Sequence, residues 1–428
     1  MRRISPAISH AALALVPIAL LLCTQAHAQS DVVLQAEQTA TRKLDIRVDR
    51  VAAPAGGAAA AADLVGRVIV ADLRNSGFFR VGGALAGEGE DLPFSFAITG
   101  ELAGDPPATG GGGAPSLTLR LQAMPGGEMV LGKRYAPASG QLRATAHHFV
   151  DEIVRLLTGE SGVNLTRIVF SRGQGDRRDL WVVDYDGENL ARLTANRTLN
   201  LCPSWSPDGQ HIAFTSYAAG QQGVFLLETK SGKVRRVIAA AGLNLGPVWH
   251  PQQQELLLSL SKDGDPEIYR IDLQGRVLRR LTMSPAIEIG PDWSPNGRDL
   301  VFTSDRTGSP QLYVMDGDGA ARSRLTYEGE YNDAGVWSPN GEQVAYVTRI
   351  GNRTFLVLIS SGGENRRLLT DESWRHAEDP SWAPDGRHLV FSSDRSGVFK
   401  LYVLDVVDGT WRQLTAGREE DITPSWSR

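Results

Sequence analysis

The stretch Pro203-Ser204-Trp205-Ser206-Pro207-Asp208-Gly209 returns in altered form along the C-terminal part of the chain. Its tryptophan recurs every 44 or 45 residues, at Trp205, Trp249, Trp293, Trp337, Trp382 and Trp426. Self-similarity at a period of about 40–45 residues is typical of β-propellers, in which each repeat forms one four-stranded blade. The repeat therefore predicts a mainly β chain that contains a propeller.

Each repeat contains the elements of a blade. A Ser-Pro-Asp-Gly turn follows the tryptophan, and then come an apolar strand, an aromatic strand and a last strand that ends in Leu-Thr. The unit that begins at residue 167 has no tryptophan phrase before it. We therefore predict that residues 422–426 supply its first strand and close a six-bladed ring, which removes two exposed sheet edges.

The N-terminal part has a different organisation. Residues 1–28 are typical of a secretory signal, with cleavage between Ala28 and Gln29, and residues 29–43 are predicted to be a flexible mature N-terminus. Residues 44–163 are predicted to form a small α/β domain, with helices at 61–75 and 141–157 and strands at 44–48, 94–100, 116–124 and 128–135. Residues 164–428 are assigned to the propeller.

The net charge disfavours two classes of binding partner, and the cysteine content leaves no pair for a disulfide within the mature chain. The formal net charge is −5, and loss of Arg2 and Arg3 with the signal makes it −7, which disfavours nucleic acid and anionic membranes. Without Cys23, Cys202 is the only cysteine, so no disulfide within the mature chain is expected. No segment is apolar and long enough to predict a membrane span. No cofactor is predicted.

The sequence contains no catalytic motif that we recognise: GxSxG, HExxH, a P-loop and paired CxxC are all missing. Carboxylates do recur 21 residues before a tryptophan, in five repeats, at Asp184, Glu228, Asp272, Asp316 and Asp405. One active site does not need the same carboxylate in five blades, so their recurrence favours a role in stabilising turns. We predict no catalytic residue and no metal site.

The link that enters each tryptophan strand varies from blade to blade, and in a propeller this link lies at one mouth of the channel. Three adjacent blades have Leu, Leu and Ile there, beside an acidic arc, and an apolar patch with a polar rim favours protein binding. Local packing is the alternative. The predicted partner-binding residues are Leu199, Asn200, Leu201, Leu243, Asn244, Leu245, Gly246, Ile287, Glu288, Ile289, Gly290, Tyr331, Asn332 and His376.

The repeat phrase, residues 69–79 and residues 141–147 resemble the TolB family, over nearly all of the mature chain. The resemblance implies a periplasmic component of the Tol–Pal system that supports outer-membrane integrity and cell division. It also implies that the propeller mouth binds the lipoprotein Pal and that the mature N-terminus binds TolA, with other Tol proteins as further partners. We expect Val32, Val33 and Leu34 to supply that N-terminal contact by strand addition. The chain departs from the family in a longer N-terminus and in an Ala/Gly-rich run at 52–62.

Two other functions remain open at the level of sequence. Related propellers gate the active site of serine peptidases, and we expect no catalytic domain of that kind here because the sequence contains no GxSxG motif. The channel can also hold a small ligand or a glycan, because a fold does not determine a function.

Overall fold

The structure, a computed structural model, describes residues 43–54, 57–85, 93–103, 115–138, 140–218 and 220–428. It confirms the predicted fold class, a small α/β domain followed by a six-bladed β-propeller. Ala28, Gln29 and the segment Val32-Val33-Leu34 lie outside the described residues. Within those residues, no helix combines the length and the apolar character that a membrane crossing requires.

The N-terminal domain is a five-stranded sheet covered by two helices. Its elements are β1 (Leu44–Ala52), α1 (Gly57–Asn75), β2 (Phe79–Gly82), β3 (Phe96–Ala103), β4 (Ser116–Ala123), β5 (Met129–Tyr135) and α2 (Leu142–Thr158). The strand order is β2-β1-β3-β4-β5, and β1 runs parallel to β2 and β3. Val65 and Ile69 of α1 and Phe149 of α2 pack on Ile46 and Val48 of the sheet, as their spacing along each element requires.

The sequence pattern did not predict β2, and it predicted the start of α1 four residues late. Strand β2 has only four residues, of which Phe79 and Val81 are buried, and so short an alternation is a weak signal. The chain reverses before it at Gly77, whose φ is +77°, and any side chain there would collide with Asp405 and Arg387 of the propeller. Glycine at this position therefore allows the two domains to approach closely.

The propeller consists of six antiparallel sheets, and we number its blades in chain order. Blade one contains β6 (Arg167–Gln174), β7 (Arg177–Asp184), β8 (Ala191–Arg192) and, from the C-terminus, β29 (Glu420–Trp426). Blades two and three contain β9 (Asn200–Trp205), β10 (His211–Ser216), β11 (Gly223–Glu228), β12 (Val234–Ile238), β13 (Asn244–Trp249), β14 (Glu255–Leu260), β15 (Glu267–Asp272) and β16 (Val277–Arg280).

The other three blades repeat this pattern. They contain β17 (Glu288–Trp293), β18 (Asp299–Ser304), β19 (Gln311–Asp316), β20 (Ser323–Arg324), β21 (Asn332–Trp337), β22 (Gln343–Ile350), β23 (Arg353–Ser360), β24 (Arg367–Leu368), β25 (Ala377–Trp382), β26 (His388–Ser393), β27 (Lys400–Asp405) and β28 (Trp411–Gln413). The innermost strand of each blade is the one that ends in the repeated tryptophan. Neighbouring innermost strands contact one another around the ring.

The last strand, β29, completes blade one. It pairs antiparallel with β6, so that Trp426 lies opposite Ile168 and Ser425 lies opposite Val169. The indole Nε1–H of Trp426 donates to Thr166 Oγ1 at 2.7 Å. The two ends of the propeller are therefore joined by main-chain hydrogen bonds and by a side chain.

The repeated tryptophans pack between blades. All six are buried, and Trp205 lies among Val169 and Leu180 of blade one as well as Phe214 of its own blade. Trp249 donates to the carbonyl of Ser204 in the preceding blade at 3.0 Å. Truncation of such a buried side chain lowers the free energy of unfolding by about 3–5 kcal/mol. Because each tryptophan packs between two blades, it stabilises both.

The recurrent carboxylates also have the role that was predicted for them. Asp316 Oδ1 accepts the main-chain N–H groups of Asp318 and Ala320, and Asp272 Oδ1 accepts those of Gln274 and Arg276. These bonds satisfy donors inside the turns between third and fourth strands. The carboxylates therefore hold turns and do not form one site.

Candidate partner-binding mouth of the propeller

The two mouths of the channel differ in what covers them. The link into each innermost strand and the hairpin between second and third strands share one mouth, because successive strands of a blade run in opposite directions. We call this the open mouth. The N-terminal domain contacts the turns of the opposite mouth, through Asp72 to Tyr185 and through Gly77 to Arg387. These contacts of the described residues leave the open mouth uncovered by them.

Four residues predicted to contact a partner are instead buried inside the blades. Asn200, Asn244, Glu288 and Asn332 occupy the first position of their innermost strands and are completely buried. Asn244 Nδ2 donates to the carbonyls of Ala240 and Gly242, which holds the incoming link in place. The prediction was wrong for these four residues because the first position of the strand points into the blade. Their recurrence at one position of the repeat was the signal of a structural role.

In blades two to six the second residue of the innermost strand is half-buried and faces the channel, and Ile422, the third residue of β29, has the same place in blade one. Leu201, Leu245 and Ile289 are half-buried there and form an apolar arc. Blades five and six have Asp333 and Glu378 at the same position, so the opposite side of the ring is acidic. The sequence predicted this division between apolar and acidic arcs, and the strands bring the two arcs to one rim.

The acidic arc contains carboxylates whose protonation the channel alters. Asp333 accepts hydrogen bonds from Thr303 Oγ1 at 2.6 Å and from Tyr331 Oη at 3.1 Å. Burial raises the pKa of Glu378, and the negative charge of neighbouring Asp379 raises it further. Burial also raises the pKa of Asp379, which accepts a hydrogen bond from Ser392 Oγ. A cationic or hydrogen-bond-donating group from a partner would relieve this concentration of negative charge.

A bulge follows this half-buried position in every innermost strand. The residue at this point has a left-handed backbone, with φ between +49° and +63°, in all six blades: Cys202, Gly246, Gly290, Ala334, Asp379 and Thr423. The pairing register with the second strand shifts at the same place, as between Leu245 and Val248. The predicted residues Gly246 and Gly290 therefore shape the rim through their backbone.

The rim of the open mouth carries more exposed apolar surface than the sequence analysis found. Ile287 is 45% exposed, whereas Leu199 and Leu243 are half-buried. Met283 and Tyr327, which were not predicted, are each 72% exposed and follow the Leu-Thr pairs that come directly after β16 and β20. A large apolar residue directly after Leu-Thr, where other repeats have Ala195, Asp371 or Ala416, was the signal that could have identified them.

The last two predicted residues are held by contacts within the mouth. Tyr331 lies under the guanidinium of Arg349, which is 4.4 Å from the ring centroid, and burial raises the pKa of the Tyr331 hydroxyl to about 12. His376 Nδ1 lies 3.3 Å from Thr354 Oγ1, and the His376 main-chain N–H donates to Asp394. Both side chains are only partly buried, so they border the acidic arc.

Within the described ranges, one grouping of His, Asp or Glu side chains is close enough to consider as a metal site. It consists of Asp72, His147 and Asp186, at the junction between the two domains. The guanidinium of Arg143 already contacts the Asp186 carboxylate, and His147 Nδ1 lies 2.7 Å from Asp72 Oδ2. A fixed cation therefore occupies the place that a metal ion would need, and the grouping is an ion-pair network.

Comparison with known proteins agrees with this geometry. The family described as TolB beta propeller domain matches residues 154–428. A TolB homolog of Chlorobaculum tepidum is 33% identical over 148 residues, which is 34% of each chain. The Tol-Pal system protein TolB of Legionella pneumophila (strain Corby) is 32% identical over 189 residues, 42% of this chain and 44% of the relative. The matches thus span between a third and a half of these relatives.

A solved structure supports the fold over a longer stretch. TolB from Acinetobacter baumannii superimposes with a TM-score of 0.76, covering 90% of this chain and 97% of that one. The sequence identity is 23%, so this likeness supports the arrangement of the two domains and nothing about binding.

Proposed function

Because this chain belongs to the TolB β-propeller family, whose match covers the whole propeller, we propose that it is a non-enzymatic periplasmic scaffold of the Tol–Pal system. In this role it binds the lipoprotein Pal at the open mouth and supports outer-membrane integrity and cell division. Relatives that carry the name Tol-Pal system protein support the assignment to the system. Export would follow from the predicted signal at residues 1–28 and cleavage after Ala28.

The composition of the open mouth is the observation that most directly supports this proposal. It combines exposed Met283, Ile287 and Tyr327 with the acidic residues Asp333 and Glu378. The described part of the N-terminal domain contacts the opposite mouth instead. Exposed apolar anchors beside polar groups are the composition of protein-binding surfaces. A partner that covers the mouth would bury the apolar residues and neutralise part of the acidic arc.

Substitutions on this rim test the assignment to Pal. The mature protein with Ile287→Glu or Met283→Glu should retain its thermal stability and lose binding to purified Pal in calorimetry. Leu278→Glu is a matched control, because Leu278 is 47% exposed on the outer strand β16, away from the mouth. If both rim variants bind Pal as tightly as Leu278→Glu, Pal does not bind here. Retention of the protein on a glycan matrix instead would favour a ligand-binding propeller.

The proposal for TolA concerns the mature N-terminus. We expect Val32, Val33 and Leu34 to add a strand to a sheet of TolA, because main-chain pairing provides affinity and alternate side chains set the register. Removal of residues 29–41 should abolish TolA binding and leave Pal binding and folding unchanged. Undiminished TolA binding by that truncation would move the site to β1 or beyond.

A further inference from the structure

A buried histidine joins the N-terminal domain to the first blade of the propeller. His147 on α2 is 4% exposed and lies between two carboxylates. Its Nδ1 is 2.7 Å from Oδ2 of Asp72 on α1, which is completely buried. Its Nε2 is 3.7 Å from Oδ2 of Asp186, in the turn after β7, and has no hydrogen-bond partner among the described residues.

A neutral imidazole cannot satisfy both carboxylates. With the proton on Nδ1, the ring donates to Asp72 and points its Nε2 lone pair at Asp186. With the proton on Nε2, the lone pair of Nδ1 lies against the carboxylate of Asp72. Only the imidazolium has an N–H group on both sides, because both ring nitrogens are then donors. The distance of 3.7 Å to Asp186 leaves this second hydrogen bond unmade in the structure.

The charged groups around the ring come from each element packed against it. On α2 these are Arg143, which contacts Asp186, and Asp151. The hydroxyl of Tyr185 donates to Asp72, and Arg412 on β28 donates to the carbonyl of Tyr185. Burial raises the pKa of Asp72, while the hydrogen bond from His147 opposes that shift. The opposing charges thus depend on one another.

The position of the cluster gives this protonation a structural consequence. Asp72 and His147 belong to the two helices of the N-terminal domain, and Asp186 belongs to the propeller. The hydrogen bond to Asp72 stays inside one domain, whereas a hydrogen bond to Asp186 crosses the boundary. Gain or loss of one proton on the His147 ring therefore changes the number of hydrogen bonds that hold α2 against blade one.

We propose that His147 is a proton-dependent clamp between the two domains, which closes on Asp186 when the imidazole is protonated and loosens when it is neutral. Acidification then strengthens the docking of the N-terminal domain on the propeller. Charge-assisted hydrogen bonds are the stronger kind, so the closed clamp should reduce local opening of the junction about tenfold. The proposal rests on the contacts of the junction and does not depend on which partner binds the open mouth.

The test is hydrogen exchange of the full mature protein at about pH 5.5 and about pH 7.5, corrected for the intrinsic effect of pH. The amides of α2 and of the link that follows it should be about tenfold better protected at the lower pH. All variants are made together with Asp151→Asn, which removes the separate pH response of Asp151 on the same helix. In that background His147→Gln, which cannot be protonated, and Asp186→Asn, which cannot pair with a cation, should each abolish this difference. His148→Gln is the control, because its neighbour His148 is 52% exposed on the same helix.

Two results would overturn the clamp. One is a pH response of His147→Gln equal to that of His148→Gln, and the other is equal protection of the wild-type protein at both values of pH. Because the variants can fail to fold, nitrogen-15 spectra of the wild-type ring provide a second measurement. They should show both nitrogens of His147 protonated at the lower pH, and a neutral ring there would also refute the proposal.

Discussion

Arg172 and Asp421 form a buried two-pronged ion pair across the closure of the ring, with Nε to Oδ1 at 2.6 Å and Nη2 to Oδ2 at 2.8 Å. Arg172 lies on β6 and Asp421 on β29, so the pair joins two strands that are far apart in the sequence. Lys400 Nζ on β27 lies 3.1 Å from Asp421 Oδ2 and is 2% exposed. One carboxylate therefore compensates two buried cations, from blades one and six.

Asp421→Ala should remove this compensation and destabilise the protein by about 3–5 kcal/mol, because two buried cations lose their counterion. The loss is measured as the change in free energy of unfolding in urea. The matched control is Asp318→Ala, since Asp318 and its partner Arg279 are 70% and 51% exposed and such pairs contribute about 0–1 kcal/mol. Similar losses in the two variants would contradict a special role for Asp421.

Removal of residues 422–428 should prevent stable closure of blade one. The truncation deletes the partners of Ser171, Val169 and Ile168 and the buried indole of Trp426, and it leaves an unpaired edge on β6. We expect aggregation or a large decrease in melting temperature. Removal of exposed Arg428 alone is the control and should change the melting temperature little. A soluble truncated chain with the melting temperature of the control would refute closure by β29.

The bulge in the innermost strands predicts opposite effects for two small substitutions. Ala334 has a φ of +53°, so Ala334→Gly should stabilise the protein by about 0.5–1 kcal/mol after the entropy of the unfolded glycine is subtracted. Gly246 has a φ of +63° and open space around it, so Gly246→Ala should cost about 1 kcal/mol through backbone strain alone. Urea denaturation measures both, and changes of the same sign would rule out this account.

Asp151 predicts a dependence of stability on pH. Burial raises its pKa from 3.8 to about 6, while hydrogen bonds from the main-chain N–H and Nδ2 of Asn164 oppose the shift. A carboxyl with a raised native pKa contributes stability that is complete below about pH 4 and disappears as the pH rises through about 6. Asp151→Asn keeps an acceptor for Asn164 without the buried charge.

Above about pH 6 this variant should therefore be more stable than the wild type, by up to about 3 kcal/mol, and the difference should vanish near pH 4. Denaturation in urea across this range measures the difference. Asp318→Asn, at an exposed carboxylate, should show no such convergence. Parallel curves for the wild type and Asp151→Asn would show that Asp151 is ionised without penalty.

Sequence periodicity was sufficient for features that every repeat shares. The spacing of the tryptophans identified the blades, and the unpaired unit at residue 167 identified the strand that closes them. The same reasoning assigned Asp272 and Asp316 to turns. Asn200 and Asn244 also recur at one position, and their complete burial shows that this recurrence too marks a structural role.

The sequence by itself thus determined the number of blades, their order and the division of the rim into apolar and acidic arcs, because these follow from a period and from local residue chemistry. Tertiary structure alone decided which side of each innermost strand faces the channel, since a bulge changes the register in a way that composition does not reveal. It also brought His147 between Asp72 and Asp186 and placed Asp421 between Arg172 and Lys400. These groups are distant in the sequence, and their charges interact only when folding removes the water between them.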